Sequence, residues 1–269
     1  MNGNDYYTRI KELNISHYAG EVSYYTRAPL REVERKLLTS ITKESRILDV
    51  GCGSGRFSIG AAQLGHVVIG IDITPAAITA AGEKAKKLKL SNVNFFVGDM
   101  TEMPFQNNEF DYVFCPRFSI NAVATFYKRK KAIDEMMRVV KPGGMVYIES
   151  FNKLYLGRGP IVSIKNVLGD LLKQISIAIC HLMDKKYDGL LPGDITYESN
   201  KVAEASKGYA HLPTIFELKK LLPINTTPKF YSIPQVLGGK GFDPFKYFRY
   251  SIWISLTKPT DIDGRPQRM

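Results

Sequence analysis

Apolar and polar positions follow two different periods along the first half of the chain. Short apolar runs that fit buried strands are followed by longer stretches whose apolar positions lie three and four residues apart, as in helices. The predicted strands are RILDV (46–50), HVVIGID (66–72), VNFFVGD (93–99), FDYVFC (110–115) and GMVYIES (144–150). Strands that alternate with helices indicate a parallel sheet with helices on both faces.

Local signals mark the helices between these strands. Thr74 suits an N-cap with Pro75 just inside the helix, and Gly65 suits a helix end. Lys141–Gly144 (KPGG) reads as a tight turn before the fifth strand. The predicted helices cover PLREVERKLLTSI (29–41), GRFSIGAAQLG (55–65), TPAAITAAGEKAKKLKL (74–90) and YKRKKAIDEMMRVV (127–140).

The alternation ends after Ser150. Residues 161–183 form one long amphipathic stretch, which fits a lid helix, a dimer surface or a contact with a membrane or lipid-like substrate. Its apolar stripe comprises Ile161, Ile164, Leu168, Leu171, Ile175, Ile179 and Leu182. Residues 188–200 read as a loop, and a helix is predicted over 212–223. Two strand-like runs, 228–236 and 250–258, predict a hairpin with a short connection at the sheet edge.

Composition narrows the classes of protein. The net charge of +11 is typical of a protein that binds nucleic acid, anionic membranes or acidic small molecules, or of a well-solvated surface. The three cysteines lie far apart without a CxxC pair, and the histidines are scattered, so we expect no disulfide framework and no metal site. The polar N-terminus and the lack of a long apolar run predict a cytoplasmic protein without a transmembrane segment.

The candidate chemistry begins in RILDVGCGSGRFS (46–58), where an apolar run ends in an acid and meets alternating glycines. The glycines Gly51, Gly53 and Gly55 follow the pattern GxGxG. A dinucleotide fingerprint would need a glycine at position 56, which is Arg56, and no Gly-Lys-Ser/Thr follows for a phosphate loop. The loop therefore fits neither of these two phosphate-binding patterns.

Three successive strands carry an acid at or near their carboxyl ends: Asp49, Asp72 and Asp99. Ligands of open α/β sheets bind beyond those ends, and a carboxylate there accepts hydrogen bonds from ribose hydroxyls. Such a row of acids suits a cationic or hydroxyl-rich nucleoside and repels a pyrophosphate.

With these motifs, the sequence resembles the class I S-adenosylmethionine-dependent methyltransferases, in particular the group with ubiquinone and menaquinone biosynthesis enzymes. The resemblance covers about residues 45–150. The matching segments are ILDVGCGSGRFS, VVIGIDIT, VNFFVGDMTEMPFQNNEFDYVFC and MMRVVKPGGMVYIES. It implies a Rossmann-like, doubly wound seven-stranded sheet, mostly parallel with the last strand antiparallel, and a helical cap inserted after the fifth strand.

The resemblance also implies a division of the chain. Residues 1–44 would be a helical segment over the cofactor site, and 45–150 the S-adenosylmethionine-binding core. Residues 151–212 would be the cap, 213–258 a helix and strand hairpin that complete the sheet, and 259–269 a tail.

The resemblance further assigns roles to residues. Asp49 would bind the amino group of the methionine part, with Gly51, Cys52, Gly53 and Gly55 in the loop around it. Asp72 would hold the ribose hydroxyls, and Ile73, Asp99 and Met100 the adenine. Cys115, Pro116 and Arg117 would face the sulfonium and the substrate, and Tyr24, Tyr25 and Arg27 would close the pocket.

The sequence indicates the methyl acceptor less clearly than it indicates the cofactor. We expect a small-molecule acceptor and S-adenosylhomocysteine as product. The basic charge keeps an RNA methyltransferase as an alternative, although no Asn-Pro-Pro-aromatic motif follows Phe114. A non-catalytic partner protein with this fold is a third reading, and 161–183 is a candidate homodimer surface. His211 is the candidate general base, although it also suits a surface or capping position, and the candidate acceptor-pocket residues are Tyr155, Arg158, Tyr197 and Tyr209.

Overall fold

A computed structural model describes residues 3–153, 168, 172, 175, 179, 193–198, 207–238 and 249–260. The helices are α1 (Gly3–Gly20), α2 (Val22–Arg27), α3 (Glu32–Ser40), α4 (Arg56–Gln63), α5 (Pro75–Lys87), α6 (Phe126–Val139), α7 (Ile215–Leu221) and α8 (Ile233–Val236), with a 3₁₀ turn at Ser119–Ala122. The strands are β1 (Arg46–Val50), β2 (Val67–Asp72), β3 (Val93–Val97), β4 (Phe110–Cys115), β5 (Val140–Phe151), β6 (Asp194–Glu198), β7 (Lys207–His211), β8 (Lys229–Tyr231) and β9 (Ser251–Thr257).

Seven strands form the main sheet in the order β3-β2-β1-β4-β5-β9-β8. The first five strands pair in parallel, and β9 runs antiparallel to both of its neighbours, β5 and β8. This topology confirms the predicted fold. The chain order reverses between β1 and β4, and the carboxyl ends of strands at such a point flank a ligand crevice.

Both faces of the sheet are buried, because successive side chains of a strand point to opposite sides. On β1, Leu48 packs in a cluster with Val113, Ile148 and residues of α6 and α7. Its neighbour Ile47 packs in a second cluster with residues of α3 and α4. The helices on both sides hold the strand ends in fixed positions.

Two boundaries differ from the prediction. Lys141–Gly144 belongs to the long strand β5 and does not separate α6 from it, although Gly143 bends the backbone with a φ of +76°. The two late strands pair, yet residues 232–250 separate them, so the predicted short connection is wrong. Moreover, β9 lies inside the sheet and only β8 is at its edge.

A second, two-stranded sheet pairs β6 with β7 in antiparallel register, with Asp194 opposite His211 and Tyr197 opposite Gly208. Part of it replaces the loop that we predicted over 188–200. The apolar pattern does not predict these two strands, because DITYE and KGYAH contain several polar residues. Which of their residues are buried depends on the packing of β7 against α1.

The amphipathic stretch 161–183 falls mostly outside the described residues. Four apolar side chains of it are described in helical conformation and are about half exposed: Leu168, Leu172, Ile175 and Ile179. Within the described part of the chain, no helix is long and apolar enough to cross a membrane. The predicted division into segments stays a prediction.

Candidate active site

A cavity of about 450 Å³ opens at the carboxyl ends of β1, β2 and β4. Ten of the predicted cofactor-binding residues line it: Tyr25, Asp49, Gly51, Cys52, Gly53, Asp72, Ile73, Asp99, Met100 and Arg117. Tyr197 and Tyr209 of the β6–β7 sheet line it as well, together with Ile195. The cavity therefore joins the acid-lined strand ends to an aromatic wall.

The glycine loop forms the floor of the cavity. Gly51 has a φ of +73°, and a Cβ atom there would lie 2.5 Å from the Cβ atom of Ser119, so a larger residue cannot occupy this position without displacing the chain. The backbone N–H groups of Gly51 and Cys52 both donate to the Ile71 carbonyl, at 2.8 and 2.9 Å. These bonds tie the loop to β2 and shape it for close approach of a ligand.

Asp49 lies at the base of the loop and is fully buried. Its Oδ2 atom accepts a hydrogen bond of 2.5 Å from the Ser58 hydroxyl, whereas Oδ1 has no partner among the described residues. Burial raises the pKa of this carboxyl to about 7, against the opposing effects of the Ser58 hydrogen bond and Arg56. A buried carboxyl oxygen without a donor suits a ligand that brings one.

Asp72 links β2 to the glycine loop. Its Oδ2 atom accepts from the Gly53 N–H at 2.9 Å, and Oδ1 accepts from the Thr74 N–H at 2.9 Å. Burial raises its pKa although these backbone hydrogen bonds act in the opposite direction. The carboxylate is thus held in one orientation at the cavity wall.

Asp99 is bound by two residues of α1 that sequence reasoning missed. The Tyr7 hydroxyl donates to both carboxylate oxygens at 2.9 Å, and Lys11 Nζ donates to Oδ2 at 2.7 Å. Thr101 adds donation from its N–H and hydroxyl groups. Burial would raise the pKa of Asp99, but hydrogen bonds from Lys11, Thr101 and Tyr7 outweigh it and lower the pKa.

Comparison with known proteins decides the family. A family model described as "Methyltransferase domain" matches residues 41–207, which is more than half of the chain. The chain belongs to this methyltransferase family. Membership confirms the predicted class, and with it S-adenosylmethionine as the cofactor.

Curated relatives agree with this family. Demethylmenaquinone methyltransferase of Listeria welshimeri is 33% identical over 129 residues, which cover 46% of this chain and 52% of the relative. The enzyme of the same name from Oceanobacillus iheyensis is 35% identical over 114 residues, which cover 41% and 46%. The chain thus spans about half the length of the curated relatives it matches.

Solved structures share the fold. A SAM-dependent methyltransferase from Methanosarcina mazei superposes with a TM-score of 0.61 at 21% identity, covering 87% of this chain and 100% of that one. The CcbJ methyltransferase from Streptomyces caelestis gives a TM-score of 0.63 at 13% identity, covering 91% and 98%.

The cavity of this family member fits S-adenosylmethionine. The donor-free Oδ1 of Asp49 suits an ammonium group, and the carboxylates of Asp72 and Asp99 suit hydroxyl and amino donors of a nucleoside. A Cβ atom on Gly53 would have no neighbour within 4 Å, so this glycine borders open space in the cavity.

Four of the predicted residues lie outside the cavity lining: Tyr24, Arg27, Gly55 and Cys115. A Cβ atom on Gly55 would lie 2.8 Å from the Phe95 ring, so this glycine serves packing behind the loop. Cys115 is fully buried in the core, and burial raises the pKa of its thiol, as it does for Cys52. Arg27 is exposed at the end of α2.

His211 also lies outside the cavity lining, although Ala210 and Leu212 on either side of it line the cavity. Its Nδ1 atom lies 2.7 Å from Asp194 Oδ1, and its Nε2 atom lies 2.8 Å from Glu217 Oε1. Both ring nitrogens of His211 therefore have a carboxylate partner, and the residue is only 3% exposed. This geometry favours a role in holding the β6–β7 sheet to α7 over that of a general base.

Proposed function

We propose that the chain transfers a methyl group from S-adenosylmethionine to a small-molecule acceptor. The observation that carries the proposal is a cavity of about 450 Å³ that joins acids at three strand ends to an aromatic wall. Its volume falls within the range of roughly 300–1,000 Å³ that is typical of small-molecule sites.

The proposed roles follow the order of the strands. Asp49 binds the amino group of the methionine part, and Gly51, Cys52 and Gly53 surround that part through their backbone. Asp72 accepts from the ribose hydroxyls. The adenine contacts are proposed for Ile73, Asp99 and the Met100 N–H, with Tyr7 and Lys11 completing the site around Asp99.

The bound cofactor supplies an electrophilic methyl group, and the chain supplies alignment and a dry environment for in-line displacement. Arg117 and Phe118 follow β4 and line the part of the cavity that we assign to the acceptor. The tyrosines nearby are poor bases at neutral pH, since burial raises the pKa of Tyr197 to about 12. We therefore propose that these tyrosines do not act as a general base toward the acceptor.

Two observations bear on the acceptor. The relatives named demethylmenaquinone methyltransferase support a ring-containing, quinone-like acceptor as the finer proposal. The net charge of +11 supports RNA as the alternative. We favour the small molecule because aromatic side chains, rather than a basic groove, form the wall of the cavity.

Calorimetry with S-adenosylhomocysteine tests the cofactor site. We expect binding by the wild-type chain and at least tenfold weaker binding by Asp72→Asn, because hydrogen bonds to charged groups contribute about 1.5–3 kcal/mol. Asp134→Asn, in an exposed pair with Lys130 on α6, serves as the matched control. Unchanged affinity in Asp72→Asn would support the non-catalytic reading instead.

Label transfer from S-adenosyl-[methyl-³H]methionine then separates the acceptors. We expect label in reduced 1,4-naphthoquinone or in the small-molecule fraction of a cell extract. Label that appears only in RNA, with binding that weakens steeply as salt rises, would contradict the small-molecule proposal.

A further inference from the structure

The loop after β4 holds two adjacent residues in the left-handed region. Arg117 has a φ of 55° and Phe118 a φ of 64°, and neither is a glycine. Non-glycine residues adopt this conformation at an energetic cost, and they persist in it where the surroundings fix them, often at functional sites. Both residues line the cavity.

Glu149 of β5 fixes this loop from behind. Its fully buried carboxylate accepts the Arg117 N–H at 2.7 Å and the Ser251 hydroxyl at 2.8 Å. Arg31 binds both carboxylate oxygens, at 2.9 and 2.5 Å. Arg31 balances the charge of Glu149, so this carboxylate needs no second cation. Glu149 therefore anchors the loop through the backbone N–H of Arg117, and the Arg117 guanidinium stays outside the ion pair.

Phe118 begins an aromatic platform in the cavity wall. Its ring stacks on that of Phe151 with centroids 3.8 Å apart and an interplanar angle of 14°. The centroid of the Tyr250 ring lies 5.9 Å from that of Phe118 in an edge-on orientation and 5.0 Å from that of Phe151 in a tilted one. All three side chains line the cavity, and such a wall favours a flat conjugated ring.

Arg117 precedes Phe118 in the chain and adds a cationic residue to the lining of the same cavity. Three cationic side chains line the described cavity: Lys11, Arg56 and Arg117. Lys11 pairs with Asp99 at 2.7 Å, and Arg56 Nη2 donates to Glu34 at 2.7 Å. Arg117 is exposed, and its guanidinium has no ion pair within the described parts of the chain. It is the cation of this cavity that is left for a ligand.

We infer that the acceptor of the proposed methyl transfer is a flat conjugated ring that carries an anionic group. The ring lies on the platform of Phe118, Phe151 and Tyr250, and Arg117 binds a carboxylate or phenolate on it, as guanidinium groups do. This inference rests on the proposed function and names the class of substrate for the same cavity.

Three probes that differ in one property each test the inference by calorimetry. 2-Naphthoate is aromatic and anionic, 2-naphthamide is its neutral isostere, and decahydro-2-naphthoate is an anion of similar size without an aromatic ring. With protein saturated by S-adenosylhomocysteine, we expect 2-naphthoate to bind at least tenfold more tightly than either of the others.

Variants assign the effect to side chains. Arg117→Gln is expected to weaken the binding of 2-naphthoate about tenfold and to leave the binding of 2-naphthamide unchanged. The control Arg35→Gln, at an exposed position of α3, is expected to change the affinity for neither probe. Phe151→Leu is expected to weaken both naphthyl probes and to leave S-adenosylhomocysteine affinity within twofold.

The outcomes separate the inference from the proposed function. Equal binding of naphthoate and naphthamide, no effect of Arg117→Gln, or no binding of any probe overturns the anionic acceptor. Equal binding of decahydro-2-naphthoate overturns the aromatic part. The titrations are repeated without S-adenosylhomocysteine, so that they test whether Arg117 discriminates the charged probe from the neutral one even if S-adenosylhomocysteine does not bind. Failure of S-adenosylhomocysteine to bind would count against the proposed function alone.

Discussion

Asp49 combines burial with a carboxyl oxygen that has no donor among the described residues. Because burial raises its pKa to about 7, the carboxyl is protonated at pH 6 in the ligand-free chain. An unfolded aspartate loses its proton near pH ~4, so this group's contribution to stability is lost as pH rises from about 4 through 7. The charge that destabilises the free protein is the one that binds the ammonium group in the proposed role of Asp49.

This coupling predicts a pH-dependent cofactor affinity. We expect binding of S-adenosylhomocysteine to strengthen from pH 6 to pH 8, by up to about tenfold per unit below pH 7, with proton release on binding. Calorimetry in buffers of different ionisation enthalpy measures both quantities. Asp49→Asn should weaken binding and remove the pH dependence, and an identical pH profile in this variant would contradict the assigned role.

Sequence reasoning located the acids but not their partners. Asp49, Asp72 and Asp99 stand at strand ends that apolar periodicity marks, so their position relative to one another follows from local pattern and sheet geometry. Tyr7 and Lys11 reach Asp99 across 92 and 88 residues of chain. Nothing in the local pattern of α1 encodes that contact, because it depends on how α1 packs over the finished sheet.

At the scale of elements, the β6–β7 sheet is held by buried charges rather than by a large apolar core. Asp194 accepts hydrogen bonds from the Tyr6 and Tyr209 hydroxyls at 2.5 and 2.7 Å and lies 2.7 Å from His211. Burial would raise the pKa of Asp194, but the bonds from His211, Tyr6 and Tyr209 lower it. One carboxylate thus joins α1 to both strands.

Asp194→Asn is therefore expected to destabilise the packing of the β6–β7 sheet against α1. Breaking a buried ionic network costs about 3 kcal/mol or more, which lowers the Tm of a chain of this size by roughly 10 °C. Differential scanning calorimetry measures the shift. Asp134→Asn removes an exposed pair and should change the Tm by only about 2 °C. Equal shifts in the two variants would show that the network does not hold the β6–β7 sheet in place.

The same two strands could not be predicted from the sequence pattern. The strands β1 to β5 are apolar enough to be predicted singly, whereas β6 and β7 contain many polar residues, and four of the five residues of β7 are nevertheless buried. Their strand conformation follows from pairing with each other and from contact with α1. For the same reason the role of His211 could not be predicted. Only the pairing of β6 with β7 shows that Asp194 lies opposite His211 and within hydrogen-bond distance of its Nδ1 atom.

At the scale of the whole molecule, the cavity is assembled from segments that are far apart in the chain. The glycine loop supplies its floor, α1 supplies Tyr7 and Lys11, and the β6–β7 sheet supplies Tyr197 and Tyr209. A ligand that fills the cavity contacts all three segments and should oppose their local opening.

Hydrogen exchange measured by mass spectrometry tests this assembly. We expect S-adenosylhomocysteine to slow amide exchange in 51–55, in α1 and in β6–β7, and to leave α3, which does not line the cavity, unchanged. Lys11→Met should remove much of the protection of α1, because it breaks the 2.7 Å contact with Asp99, while protection of 51–55 persists. Protection confined to 51–55 in the wild-type chain would mean that α1 and the β6–β7 sheet cover the cavity without responding to its ligand.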